Sequence, residues 1–133
     1  MYDLATDATS HKLINEFYDN NKIVSAVCHG PAALAKVQVS DGKHLLDGQK
    51  VTGFSNAEET AVGLMAVMPF SLEDELNKAS GGHYVKAEND WGEKVVVSRE
   101  GRLITGQNPA SATGVGRAIY DAIFGELTTK DEI

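Results

Sequence analysis

The sequence holds a single cysteine, Cys28, so no disulfide can form within the chain, and a reducing compartment suits such a composition. It has no apolar run near the roughly 20 residues that a membrane-spanning helix requires. No basic stretch with an apolar core opens it, and a cytoplasmic location is expected. Positive charge is scarce and scattered, with 12 Lys and Arg against 19 Asp and Glu and a formal net charge of -7. That sign repels nucleic-acid backbones and anionic membrane surfaces, so neither is expected as a partner. His11, His29, His44 and His83 show no H-x-x-x-H or Cys/His clustering, so no metal centre is expected. Gly81-Gly82 and the Gly114-x-Gly116 pair do not follow a strand as a dinucleotide fingerprint does, and no nucleotide cofactor is expected. No repeat or linker divides the chain. Its 133 residues, 42% hydrophobic and 23% charged, suit one globular domain over 1–133.

What is present centres on Val24-Ser25-Ala26-Val27-Cys28-His29-Gly30-Pro31. Ile23, Val24, Ala26 and Val27 read as a short buried strand, and Gly30-Pro31 with the alanines after it as a helix start. A cysteine between strand and helix faces unsatisfied N–H groups and the positive end of a helix dipole, which should lower its pKa and make a thiolate plausible at neutral pH. Ala26-x-Cys28-x-Gly30 also copies the small-residue spacing of a nucleophile elbow. His29 is a candidate base beside it. On these residues alone a reactive thiol and an inert buried one both remain open.

Ser10 is expected to cap a helix whose Leu13, Ile14, Phe17 and Tyr18 share a face, ending at Asp19-Asn20-Asn21. Turn signals at Asp41-Gly42 and Asp47-Gly48 mark a polar connection anchored by Leu45 and Leu46. Lys50 to Phe54 reads as a second strand. Ser55 or Asn56 then caps a helix carrying Val62, Leu64, Met65 and Val67, with Glu58 and Glu59 in its first turn. Ser71 and Asp74 start a helix over Leu72 to Ala79 whose Glu73, Asp74 and Glu75 make a solvated face. Lys94 to Ser98 and Leu103 to Thr105 suggest a hairpin, and a helix follows from about Ser111. The tail after Gly125 is polar and expected to fray. The alternation predicts an α/β sandwich with a mainly parallel sheet. The elbow strand, apolar on both faces, should lie centrally, yet too few strands accompany it. The chain therefore reads as the C-terminal part of a larger domain.

Four blocks, Ala26-Val27-Cys28-His29-Gly30-Pro31-Ala32, Lys50 to Asn56 with Glu58-Glu59, Pro69-Phe70 with Leu72 to Leu76, and Leu103 to Ser111, resemble the PfpI-type branch of the class I glutamine amidotransferase-like superfamily. Within it, the heat-shock-protein-31-like members with glyoxalase III activity match best. The resemblance implies a flavodoxin-like three-layer α/β fold, incomplete in this chain, and a Cys28-His29-acid constellation in which the acid is Glu58 or Glu59, with Glu59 chosen. It also implies a homodimer. Relatives carry earlier strands, a glycine-rich segment and a carboxylate near the sulfur, and a complementary N-terminal segment is an expected partner. The implied activity is cofactor-independent conversion of methylglyoxal, a small 2-oxoaldehyde, to D-lactate. The elbow chemistry equally permits a peptidase or deglycase-type hydrolase. A chaperone or redox sensor oxidised at Cys28, and an inactive fragment, are the readings outside that chemistry.

Overall fold

The computed structural model describes residues 1–125. Four α-helices, α1 (Ala8–Asp19), α2 (Asn56–Ala61), α3 (Leu72–Ala79) and α4 (Ala112–Phe124), surround a sheet of β1 (Val24–Val27), β2 (Val95–Ser98) and β3 (Leu103–Gly106). The strand order is β1-β3-β2. β1 runs parallel to β3, with Val24 opposite Leu103 and Val27 opposite Gly106, whereas β2 and β3 form the expected antiparallel hairpin. The sheet is therefore mixed rather than mainly parallel within the described residues.

Alternating side chains divide the core into two layers, because successive residues of a strand point to opposite faces. Val95, Val97 and Ile104 face α4, where Val115 and Ala118 cover them. Val24 and Leu103 point the other way, into a core with Ala32, Leu34, Leu45, Leu46, Val51, Phe54, Leu72 and Leu76. Leu45 and Leu46 are fully buried and anchor the polar connection as expected. Helix, sheet and a second layer make the sandwich.

Several local expectations change. Asp7, not Ser10, caps α1: its carboxylate accepts the Ser10 N–H, so the helix begins one turn earlier. On the apolar stripe of α1, Ile14 and Tyr18 pack on the core while Leu13 and Phe17 stay exposed. Lys50 to Phe54 is no strand; only Val51 makes a bridge, parallel to Tyr84. Gly53 and Phe54 instead run under the elbow, the Phe54 N–H donating to the Cys28 carbonyl at 2.9 Å. The helix expected to carry Val62 to Val67 stops at Ala61, and a single 3-10 turn, Met65–Val67, follows. Gly63 at φ 76 ends the helical run between them. Gly30-Pro31 likewise opens only the 3-10 turn Gly30–Ala33. The solvated face assigned to α3 is partly a tether: Glu73 accepts the Asn56 N–H at 3.0 Å and Asp74 accepts the Asn56 amide at 3.1 Å, tying α3 to α2. The tail after Gly125 lies outside the described residues.

The expected central position of β1 is not met among the described residues. β1 pairs with β3 on one edge alone, and its other edge opens onto a groove of about 650 Å³ lined by Phe17, Ile23, Ser25, Ile119 and Ile123. A strand edge flanked on both faces by apolar side chains is a template for another strand.

Gly106 closes β3 where β1, α4 and the following turn converge. A Cβ there would lie 2.6 Å from Val115 Cγ2 and 3.0 Å from Val27 Cγ2. Both are short, stiff side chains. Gly106→Ala is expected to lower stability by about 1–3 kcal/mol through overpacking. Gly116→Ala, in the open on α4, should raise it by about 0.5–1 kcal/mol. Urea unfolding of the two variants checks the pair, and equal midpoints would contradict this packing.

Candidate functional site

β1 ends by delivering Cys28 into a left-handed conformation, φ 64. For a non-glycine residue this is strained backbone, and it persists only where its surroundings hold it. Two hydrogen bonds do so. The Cys28 N–H donates to the Gly106 carbonyl of β3 at 3.0 Å, and its own carbonyl accepts from Phe54. The small residues of the elbow have a steric reason: a Cβ on Gly30 would come 3.3 Å from Ala26 Cβ. The local spacing thus gives the sharp turn that the sequence suggested.

The turn brings His29 back beside the sulfur. Nδ1 of His29 stands 3.5 Å from Cys28 Sγ, and Nε2 stands 2.6 Å from Glu59 Oε2. Phe54 packs against the imidazole with ring centroids 4.5 Å apart. Glu59 comes from the first turn of α2, which Ser55 caps with a full capping box. Among the described residues the second Glu59 oxygen, Oε1, is buried without a partner, which leaves the imidazole as the carboxylate's strong contact. A bond of this length to an ionised acceptor is charge-assisted.

Of the two candidate acids, Glu59 meets His29, and Glu58 turns away into the core. Glu58 accepts the amides of Gln107 and Asn108 at 3.0 and 2.8 Å and the Trp91 N–H at 2.9 Å. Burial pushes its carboxyl up, but the donors from Asn108, Gln107, Ser55 and Trp91 outweigh that and hold it below the usual carboxylate range. Gln107 and Asn108 escaped sequence reasoning. Their loop carries turn residues, and nothing in its spacing announces a buried carboxylate partner.

The thiol expectation reverses. Burial pushes the Cys28 pKa up; the His29 backbone N–H opposes this, while the negative charges of Glu58 and Glu59 add to it. Burial is the largest cause; beyond it, a four-residue 3-10 turn stands where a helix would place its dipole, and the negative charges of Glu58 and Glu59 act on the sulfur. A thiol in this setting needs a base. Nδ1 supplies one if Nε2 carries the imidazole proton toward Glu59, since the neutral ring then keeps a lone pair on Nδ1. Among the described residues no group of three or more His, Cys, Asp or Glu is placed to hold a metal ion.

A profile of the DJ-1/PfpI family matches residues 2–122. The chain belongs to the DJ-1/PfpI family. Its curated relatives include a probable glutathione-independent glyoxalase, hsp3103, of Schizosaccharomyces pombe, 37% identical over 88% of this chain and 46% of the relative. Another is the glutathione-independent glyoxalase HSP31 of Saccharomyces cerevisiae, 29% identical over 92% of this chain and 53% of the relative. Among solved structures, the Rapid Encystment Protein of Francisella tularensis superposes with a TM-score of 0.85 at 41% identity, covering 92% of this chain and 53% of that one. Glyoxalase III of Candida albicans superposes with a TM-score of 0.82 at 29% identity, covering 91% and 52%. The fold is thus the flavodoxin-like α/β type of this family, incomplete here. The chain spans about half the length of the curated relatives it matches.

The charges that raise the thiol make its titration testable. Alkylation of Cys28 by iodoacetamide, followed against pH, should show a midpoint above that of a free thiol. Glu59→Gln, which removes one of the two carboxylate charges, should bring the midpoint down. A midpoint below the free-thiol value in the unmodified chain would contradict the electrostatics described here.

Proposed function

We propose that this chain carries the cysteine side of a glutathione-independent glyoxalase acting on a small 2-oxoaldehyde such as methylglyoxal. The observation that supports this most is the bridging imidazole, 3.5 Å from Cys28 Sγ at one nitrogen and 2.6 Å from Glu59 at the other, in a chain whose curated relatives are named glutathione-independent glyoxalases. In this reading Cys28 is the nucleophile, His29 the base and Glu59 the acid that orients and charge-stabilises the imidazole.

The reaction is an internal redox exchange and needs no cofactor. His29 Nδ1 takes the thiol proton and Sγ adds to the aldehyde carbon, C1, forming a hemithioacetal whose oxyanion is held by the His29 backbone N–H. His29 returns the thiol proton to the C1 oxygen and, as the base again, removes the proton from C1; the electron pair moves to the C1–C2 bond, and that proton passes to the C2 oxygen, giving an enediol. The base takes the proton of the C1 hydroxyl and returns one to C2, leaving a thioester: C1 has been oxidised and C2 reduced, with no electrons gained or lost overall. Water then cleaves the C1–S bond, releasing D-lactate and the thiol.

The chain spans about half the length of its curated relatives, and we infer that further residues of the site come from outside it. The open edge of β1, with Phe17 and Ile123 exposed beside it, fits an added strand with apolar side chains on both faces. We assign that place to the complementary segment expected from the family resemblance, and the active form to a cytoplasmic homodimer of the assembled protein. This completes the second face of the sulfur's surroundings.

The test is D-lactate formation from methylglyoxal by the assembled protein. Cys28→Ala should lower the rate on the order of a thousandfold or more, as loss of a nucleophile does. Unchanged turnover would overturn the mechanism. Amine release from a small amide in place of lactate would move the assignment to a hydrolase.

A further inference from the structure

Glu58 takes no part in the chemistry just described, yet it is fully buried and more heavily bonded than Glu59. Oε1 accepts the Ser55 N–H at 3.1 Å, the Ser55 hydroxyl at 3.0 Å and Gln107 Nε2 at 3.0 Å. Oε2 accepts Asn108 Nδ2 at 2.8 Å and the Trp91 N–H at 2.9 Å. Capping α2 requires only the first of these. The other segments lie 33 to 50 residues away in sequence.

What Glu58 holds is the loop that carries Trp91, a partly exposed ring. Trp91 adopts φ 66, a conformation that a bulky residue does not keep without support. Its own N–H is the group that Glu58 binds. Its ring meets Phe54 edge-on, with centroids 5.5 Å apart, and Phe54 in turn packs on His29. Asn108 reinforces the loop from the same side, its amide donating also to the Gly92 carbonyl at 2.6 Å. On α2 the next residue is Glu59. One buried carboxylate therefore fixes both the turn that carries the acid and the loop that carries the aromatic wall.

We propose that Glu58 is a positioning residue for the site, setting the Glu59–His29 contact through the first turn of α2 and seating Trp91 against Phe54 as the aromatic wall beside His29. The assignment rests on the reading of Cys28, His29 and Glu59 as the reactive group. Its test uses no turnover, so it fails or stands independently of the glyoxalase reading.

Trp91 is the chain's one tryptophan, so its fluorescence reports this loop alone. The titratable groups around the sulfur are His29 beside it and Glu58 and Glu59 from α2. Glu58→Gln keeps the shape but places an amide among donors and removes a charge. It is expected to shift Trp91 emission to the red, increase acrylamide quenching and lower the pH midpoint of Cys28 alkylation. Val97→Ala, a cavity on the α4 side of the sheet, is expected to lower the urea midpoint while leaving both readings unmoved. If Glu58→Gln does not fold, Asn108→Ala is read by fluorescence and should give the same red shift. Unaltered Trp91 emission in the folded Glu58→Gln variant, or in Asn108→Ala where that is the one that folds, would overturn the proposal. So would Val97→Ala changes as large as those of the carboxylate variant.

Discussion

The backbone of Cys28 is clamped at both ends, its N–H by Gly106 of β3 and its carbonyl by Phe54, and this double hold fixes where every other functional group can stand. A left-handed residue at the end of a strand would relax if either bond were lost. With both made, the sulfur is turned off the sheet, and the following residue is thrown back so that its ring lies between sulfur and α2. Phe54, which supplies one of the two bonds, also supplies the surface on which that ring rests. The clamp thus joins β1, β3 and the segment before α2 at a single residue.

The electrostatics follow from that placement. Burial and the negative charges of Glu58 and Glu59 push the Cys28 thiol up, and beside it stands an imidazole whose other nitrogen meets Glu59. Adjacent glutamates on a helix point about 100° apart, and here the two do opposite jobs. Among the described residues Glu59 reaches His29 with one oxygen and has no hydrogen-bond partner for the other, while Glu58 accepts several donors. A carboxylate saturated by amides stays charged and stationary.

Much of this could be read from residue order, and the parts that could not have identifiable causes. The elbow, the span of α3 and the hairpin of β2 and β3 are set by local signals, namely small residues around a turn, a Ser cap with an apolar period, and β-branched runs flanking Arg99-Glu100-Gly101. Lys50 to Phe54 carries strand propensity, but its hydrogen bonds go to the elbow and to Tyr84 rather than to a ladder, a tertiary choice that propensity does not encode. The direction of the thiol's pKa is not legible in the sequence, because burial dominates it and because Gly30-Pro31 signals a helix start without its length, and a dipole needs length. Which of Glu58 and Glu59 meets His29 depends on the phase of α2, and both residues suit a first turn equally. The amides of Gln107 and Asn108 find Glu58 across about fifty residues, beyond the reach of any spacing rule.

Among the described residues β1, which ends at the sulfur's turn, pairs only with β3, and a groove lies beside its Ile23 and Ser25. Within the described chain, the defining feature is an imidazole that presents Nδ1 to the nucleophile and Nε2 to the acid. The most direct test is the tautomer of neutral His29, read from its ring nitrogen shifts by NMR. A proton on Nε2 with Nδ1 unprotonated is the expected result, and a neutral ring protonated on Nδ1 would contradict the arrangement on which the proposed chemistry stands.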